Sequence, residues 1–178
     1  MVELKAQSPA ADLLPLEIGG IVAREVDPGE VCSSLPFRRS SQAQLDAALG
    51  ATFPGPGQWV QSGAARAVWA GQGEVLLMGA AAPAALGDHA ALVDQSDMWC
   101  VVELAGAGVE DVLARLVPLD LRAGAFPVGS ATRSLLGHMH ALIIRTGDET
   151  FEVAVFRSLA GTLVHDLRRA LEAVAARG

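Results

Sequence analysis

His138-Met-His140 sets two imidazoles two residues apart, on one face of a strand, a spacing that can hold zinc. A metal site needs a third and a fourth donor, and no cysteine or carboxylate stands beside the pair. Two structural histidines are therefore expected. Asp94 and Asp97, in Asp-Gln-Ser-Asp, could act as general acid and base, since paired carboxylates shift one another's pKa. The same four residues also make good turn chemistry, because Asp and Ser side chains satisfy nearby backbone N–H groups, and a turn is the stronger reading. Gly106-Ala-Gly108 ahead of a helix has the outline of a phosphate loop but lacks the lysine and the third glycine, so helix entry is expected. Ser62, Ser130 and Ser158 have no Gly-x-Ser-x-Gly setting, which leaves nucleophilic catalysis without support. Trp69 and Trp99 read as core anchors, while Trp59, between Gly57 and Gly63, could serve an interface. The expectation is of no catalytic, cofactor-binding or metal-ligating residue in this chain.

The elements that would position these side chains are clearer than any chemistry. Ala141–Arg145 and Thr150–Arg157 flank a short Gly/Asp segment, a strong hairpin signal. The second run alternates, Phe151, Val153 and Val155 against Thr150, Glu152 and Ala154, which predicts one buried face and one wetter face. The period then changes: Leu159, Leu163, Leu167, Leu171 and Val174 recur at helical spacing. A hairpin followed by a helix that covers it is an α+β unit.

An earlier cycle resembles it. Strand-like Ile21–Val26 and Val31–Phe37 flank Asp27-Pro-Gly-Glu, and Ser41 caps a short helix that ends on Gly50. A second hairpin turns around Gly71-Gln-Gly73. The alanine-rich segment 80–87, broken by Pro83, reads as the remnant of a crossover helix. A displacement of 67 positions lays the first half on the second, Val31–Phe37 on Met98–Leu104 and Arg66–Trp69 on Arg133–Leu136. The prediction is a duplicated β-β-α-β-β-α domain with sheets inside and helices outside, its halves at about 20–87 and 88–178. Residues 1–19, with Pro9 and Pro15, read as an arm that gains order by lying on something else.

Composition bounds the function class. The 178 residues carry a net charge of −7, with one lysine, Lys5, and twelve arginines. No basic stripe stands ready to replace nucleic-acid counterions; Arg38-Arg39 and Arg168-Arg169 are isolated pairs. No run approaches the roughly 20 apolar residues of a membrane span, and residues 1–19 do not have the order of a signal peptide. Cys32 and Cys100 read as buried thiols in a reducing compartment, with the cytoplasm as the expected location. An apolar fraction of 51% with only 19% charged residues has two explanations: an Ala/Gly-rich make-up, or a surface covered by other subunits.

An ordered series of short segments carries a family resemblance. Val93-Asp94-Gln95-Ser96-Asp97-Met98-Trp99 is followed by Leu119-Asp120-Leu121, Phe126-Pro127 and Arg133-Ser-Leu-Leu-Gly-His138. Arg145-Thr-Gly-Asp-Glu-Thr-Phe-Glu-Val153 and Arg157-Ser158 complete it. Across 89–175 the chain resembles the gamma subunit of heterotetrameric sarcosine oxidase, and more distantly it is similar to the folate-binding domain of the glycine-cleavage aminomethyltransferases. The resemblance implies a folate-binding-domain-like fold and a structural, non-catalytic subunit. It also implies alpha, beta and delta partners carrying NAD and the folate site, FAD and FMN, and zinc respectively, with no cofactor on the gamma subunit. The implied complex oxidises sarcosine to glycine, passing the methyl carbon to tetrahydrofolate or releasing formaldehyde. A stand-alone folate-binding module, a subunit of a related secondary-amine oxidase, and a scaffold unconnected with amine oxidation are the alternatives.

Overall fold

The alternation after Thr150 becomes a strand, β11 (Thr150–Phe156), antiparallel to β10 (Met139–Gly147) across a tight turn at Asp148–Glu149. In the computed structural model, which describes residues 6–177, these two strands lie within a six-stranded antiparallel sheet. Its other strands are β1 (Leu16–Ile18), β2 (Ile21–Val26), β8 (Trp99–Ala105) and β9 (Ala131–Leu136), in the order β1-β2-β8-β11-β10-β9. A five-stranded antiparallel sheet holds β3 (Val31–Pro36), β4 (Trp59–Ser62), β5 (Ala65–Gly71), β6 (Glu74–Met78) and β7 (Ala90–Asp94), ordered β4-β5-β6-β3-β7.

Helices cover the outer faces. α3 (Ala160–Ala175) buries Leu163, Val164, Leu167 and Leu171, the stripe its helical period dictates. With α2 (Val109–Leu113) it seals a core against Val102, Leu104, Ile143, Phe151, Val153 and Val155 of the larger sheet. On the smaller sheet, α1 (Gln42–Leu49) and a 3₁₀ turn at Ala84–Asp88 cover Ala67, Val75 and Leu77. Ser41 and Gln44 close a reciprocal capping box at the start of α1, and Gly50 ends the helix at φ 72°, a left-handed conformation open to glycine without strain. The alanine-rich segment, read as the remnant of a crossover helix, forms only a short 3₁₀ turn at Ala84–Asp88. Gly106 leads toward α2 where a Cβ would lie 2.6 Å from the Gly20 carbonyl oxygen, so only glycine fits there.

A third core lies between the sheets, built from Val31, Val68, Leu76, Met78, Trp99, Val101, Leu142, Ile144 and Ala154. It corrects one expectation. The face of β11 expected to be wetter is buried, because the second sheet covers it, and Ala154 is fully enclosed.

The halves interlock. β7 lies in the sheet of the first half beside β3, while β2 lies in the sheet of the second half beside β8. The boundary at 87/88 therefore does not separate the sheets. Each crossing is made at an Asp: Asp27 Oδ1 accepts from Gly29 N at 2.9 Å between β2 and β3, and Asp94 Oδ1 accepts from Ser96 N at 3.0 Å between β7 and β8. The two aspartates stand 67 positions apart, but Val31 and Trp99, which open the next strands and both face the inter-sheet core, stand 68 apart. A displacement of 67 along these strands would turn every side chain to the wrong face. The hairpins also correct it. By place in the sheet β5 matches β10 and β6 matches β11, and each pair is bulged beside its turn, at Trp69/Gly71 and Arg145/Gly147.

Residues 1–5 of the predicted arm, including Lys5, lie outside the described residues. The rest of the arm docks on its own chain. β1 pairs with β2, Ala10 is fully buried in the core beneath α3, and Glu25 accepts from Ser8 Oγ at 2.6 Å and from Ala10 N at 2.9 Å.

Candidate partner-binding face

The strand register of the six-stranded sheet arranges its inner face in rows. Arg133 of β9 stands opposite Leu142 of β10, which stands opposite Ala154 of β11, which stands opposite Val101 of β8. One step further along, Leu135 stands opposite His140, the same register brings His140 beside Phe156, and Phe156 stands opposite Trp99. Because side chains alternate, Leu135, His140, Phe156 and Trp99 share the face that packs on the smaller sheet. The smaller sheet covers Trp99 but does not extend over Leu135, His140 and Phe156. Leu135 is 44% exposed and Phe156 42%, whereas Leu142 and Ala154 in the adjacent row are buried.

Trp99 forms the floor. It is buried, its ring centroid lies 5.4 Å from that of Phe156 at a tilt of 46°, and its Nε1 donates to Gln95 Oε1 at 3.2 Å. The Asp94–Trp99 turn is held at both ends. Asp94 Oδ1 accepts from Ser96 Oγ at 2.7 Å, Ser96 Oγ accepts from Val31 N at 3.1 Å, and Met98 O accepts from Arg157 N at 2.7 Å. The Ser96 hydroxyl and amide favour the ionised form and draw the Asp94 carboxyl below its usual range. Asp94 therefore acts as a turn residue. Asp97 lines a neighbouring cleft with Glu25 and Asp27.

Three concavities meet around this corner. An open groove of about 720 Å³ runs between arm residues Gln7–Pro9 and the segment Phe156–Ser158, with Met98 on its wall. A cleft of about 420 Å³ shares Ser8, Pro9 and Arg157 with it and reaches Trp99. A smaller hollow of about 220 Å³ lies among Trp99, Arg133, His140, Leu142 and Phe156. Met98, 40% exposed, extends the apolar surface; Arg133 and His140 line the smaller hollow, and Arg157 shares the cleft with the carboxylates of Glu25, Asp27 and Asp97.

Other residues with chemical promise serve elsewhere. His138 occupies the turn between β9 and β10 and only His140 lies in a strand; both are exposed, and among the described residues no three metal-ligating side chains group together. Gly108, at φ 88°, precedes α2, and so Gly106-Ala-Gly108 is a helix entry. Ser62 Oγ donates to the Leu49 carbonyl, Ser130 belongs to a bridge with Gln58, and Ser158 lies exposed on the groove. Trp59, an interface candidate, works inside the chain: its Nε1 donates to the Arg145 carbonyl at 2.9 Å, and it packs on the inter-sheet core. Trp69 is only half-buried, on the outer face of the smaller sheet beside Phe53, Pro54 and Pro56. Cys100 is buried and Cys32 half-buried; burial, with Glu25 adding to it, pushes the Cys100 thiol up to about 11, which keeps it neutral at physiological pH.

Arg145 is the residue that periodicity could not assign. It is 2% exposed, and its guanidinium donates to the carbonyls of Leu121 at 2.9 Å, Phe126 at 3.1 Å, Gly147 at 3.2 Å and Asp148. It also pairs with Glu110 at 2.8 Å and lies over the Phe151 ring at 4.9 Å. The clamp ties the loop after α2 to the central hairpin. The available signal was a single arginine closing the apolar run Ala-Leu-Ile-Ile.

Comparison with known proteins agrees with the fold and with the segments that meet here. The family model described as sarcosine oxidase, gamma subunit family, matches residues 39–172. The structure of heterotetrameric sarcosine oxidase from Corynebacterium sp. U-96 in complex with pyrrole 2-carboxylate contains a chain that superposes with a TM-score of 0.82 at 26% identity, covering 96% of each chain. The glycine cleavage system aminomethyltransferase T from Bartonella henselae shares the fold at a TM-score of 0.58 and 15% identity, over 85% of this chain and 46% of that one. No match was found among curated protein sequences. No helix among the described residues is long and apolar enough to cross a membrane. The chain belongs to the sarcosine oxidase gamma subunit family.

Proposed function

We propose that this chain is the structural, non-catalytic gamma subunit of a heterotetrameric, flavin-dependent sarcosine oxidase in the cytoplasm. It associates with alpha, beta and delta subunits that carry NAD and the folate site, FAD and FMN, and zinc. The complex oxidises sarcosine to glycine and hands the methyl carbon to tetrahydrofolate or releases it as formaldehyde. The observation that carries this reading is end-to-end correspondence, 96% of each chain, with a chain of a solved heterotetrameric sarcosine oxidase. Supporting it, Asp94, Ser96 and Ser62, polar residues that could have been catalytic, are engaged in turns and backbone contacts.

Co-expression with the other subunits tests it. One co-eluting complex with sarcosine-dependent oxygen uptake is expected, and omitting this chain should lower the yield of assembled oxidase. Separate elution at micromolar concentration would refute the assignment. The shared fold with aminomethyltransferase T supports one competing reading, an autonomous folate-binding module. Tetrahydrofolate at 100 times its Kd would add about 2.7 kcal/mol to stability if it bound. No rise in Tm is expected for the isolated chain, and a saturable rise would favour the competing reading.

A further inference from the structure

Sulfur is the most readily oxidised atom type in a protein, and the fold distributes access to it unevenly. Among the described residues it is carried by Cys32, Met78, Met98, Cys100 and Met139. Met78 lies in the inter-sheet core at 1% exposure and Met139 in the core beneath α3 at 5%, whereas Met98 is 40% exposed on the wall of the open groove. The thiols are poor competitors. Cys100 is fully buried, and burial pushes the half-buried Cys32 thiol up from its ordinary value, so little of either is the reactive thiolate at neutral pH. A thioether has no proton to lose, and its reactivity follows access. Met98 also stands where a change is tolerated. It closes the Asp94–Trp99 turn through its backbone, its N–H donating to the Gln95 carbonyl at 2.9 Å and its carbonyl accepting from Arg157 N at 2.7 Å.

We propose that Met98 is a sacrificial, reversible oxidation site of this chain, its thioether taking one oxygen atom from hydrogen peroxide to become the sulfoxide. The sulfur lone pair attacks one peroxide oxygen as the O–O bond breaks. The proton on that oxygen passes to the departing hydroxide, which leaves as water. Sulfur gives up two electrons and the peroxide accepts them. The source of oxidant rests on the subunit reading above: a flavin that returns two electrons to oxygen makes hydrogen peroxide within the same complex. The same oxygen atom placed on Met78 or Met139 would set a polar sulfoxide among apolar side chains and cost the fold. On Met98 it faces water, and a sulfoxide reductase returns it to the thioether.

The test has two arms, both read by peptide mass spectrometry. In the first, the purified full chain meets dilute hydrogen peroxide. Met98 should gain one oxygen at least about tenfold faster than Met78 or Met139, since buried residues react only through opening of the fold. In urea the three should react at similar rates, which assigns the preference to the fold and not to the local sequence. Tm after full oxidation of Met98 should stay within a few degrees of the untreated chain, and a sulfoxide reductase should restore the original mass. Equal rates in the folded chain, or unfolding when Met98 is oxidised, overturns the proposal. In the second arm the co-expressed complex turns over sarcosine in air, with and without catalase. Sulfoxide should accumulate on Met98 and catalase should prevent it. An active complex that leaves Met98 unmodified overturns the sacrificial role while the subunit assignment stands. Absence of sarcosine-dependent oxygen uptake overturns the subunit assignment, and the first arm then decides the site by itself.

Discussion

Arg66 of the smaller sheet and Glu152 of the larger one form a two-pronged ion pair across the inter-sheet core, with Arg66 Nη1 2.8 Å from Glu152 Oε1 and the second prong from Nη2 to Oε2. Glu152 stands opposite Glu103 on the neighbouring strand, and Glu103 is held at 2.7 Å by Arg24. Two adjacent carboxylates thus each have their own arginine, one from each direction. Side-chain exposures of 16% for Arg66 and 8% for Glu152 mean that water cannot replace a missing partner. Arg66→Met should therefore cost about 3–5 kcal/mol, the usual penalty of an orphaned buried charge. Replacing both residues, Arg66→Met with Glu152→Leu, should recover most of that loss. Urea unfolding of the single and double variants measures the difference, and an equally unstable double variant would show that packing, not charge, is what the pair provides.

Arg145 should be less replaceable still. Its planar guanidinium serves several carbonyls and Glu110 at once, a geometry that an ammonium cannot span. Arg145→Met should destabilise by about 3–5 kcal/mol through unpaired buried acceptors, and Arg145→Lys should restore only part of it. Proteolysis within 121–130 should accelerate in both variants, because that loop loses its tether. A Lys variant of wild-type stability would contradict the clamp.

Asp94 links stability to pH. Its folded carboxyl titrates below the ordinary 3.8, drawn down first by the Ser96 hydroxyl and then by the Ser96 amide. A depressed carboxyl contributes stability that is fully present above the unfolded value and lost as pH falls through the folded one. Asp94→Ala should therefore lower Tm at pH 7, and the gap from wild type should narrow as pH drops below 3.8. Asp94→Asn keeps an acceptor oxygen and should lie between the two. A gap constant from pH 7 to pH 2.5 would remove the charge from this account.

Deleting residues 1–19 now has a different expected outcome from that of a loose arm. The segment supplies edge strand β1, buried Leu16 and fully buried Ala10. Its loss should cost the isolated chain at least about 3 kcal/mol from the exposed core alone. Thermal unfolding of the truncated chain checks this. An unchanged Tm, with only assembly impaired, would return the arm to a purely intermolecular role.

Periodicity and turn chemistry determined the local elements by themselves. The 141–157 hairpin, the leucine stripe of α3, the capped α1 and the aspartate turns follow from backbone preferences within a few residues, and the ordered series from Val93 to Ser158 carried the family. Tertiary structure alone decided which sheet each strand joined. β2 and β7 pair across the halves because the aspartate turns redirect the chain, and period-two alternation is the same whichever neighbour a strand meets. It also decided that Glu152 is buried rather than wet, since one strand cannot specify whether a second sheet lies over it. The candidate face had no local signature for the same reason. Leu135, His140, Phe156 and Trp99 come from four strands up to 57 positions apart in sequence, and only the register that aligns them, and the smaller sheet that covers Trp99 but stops short of the other three, makes them one surface.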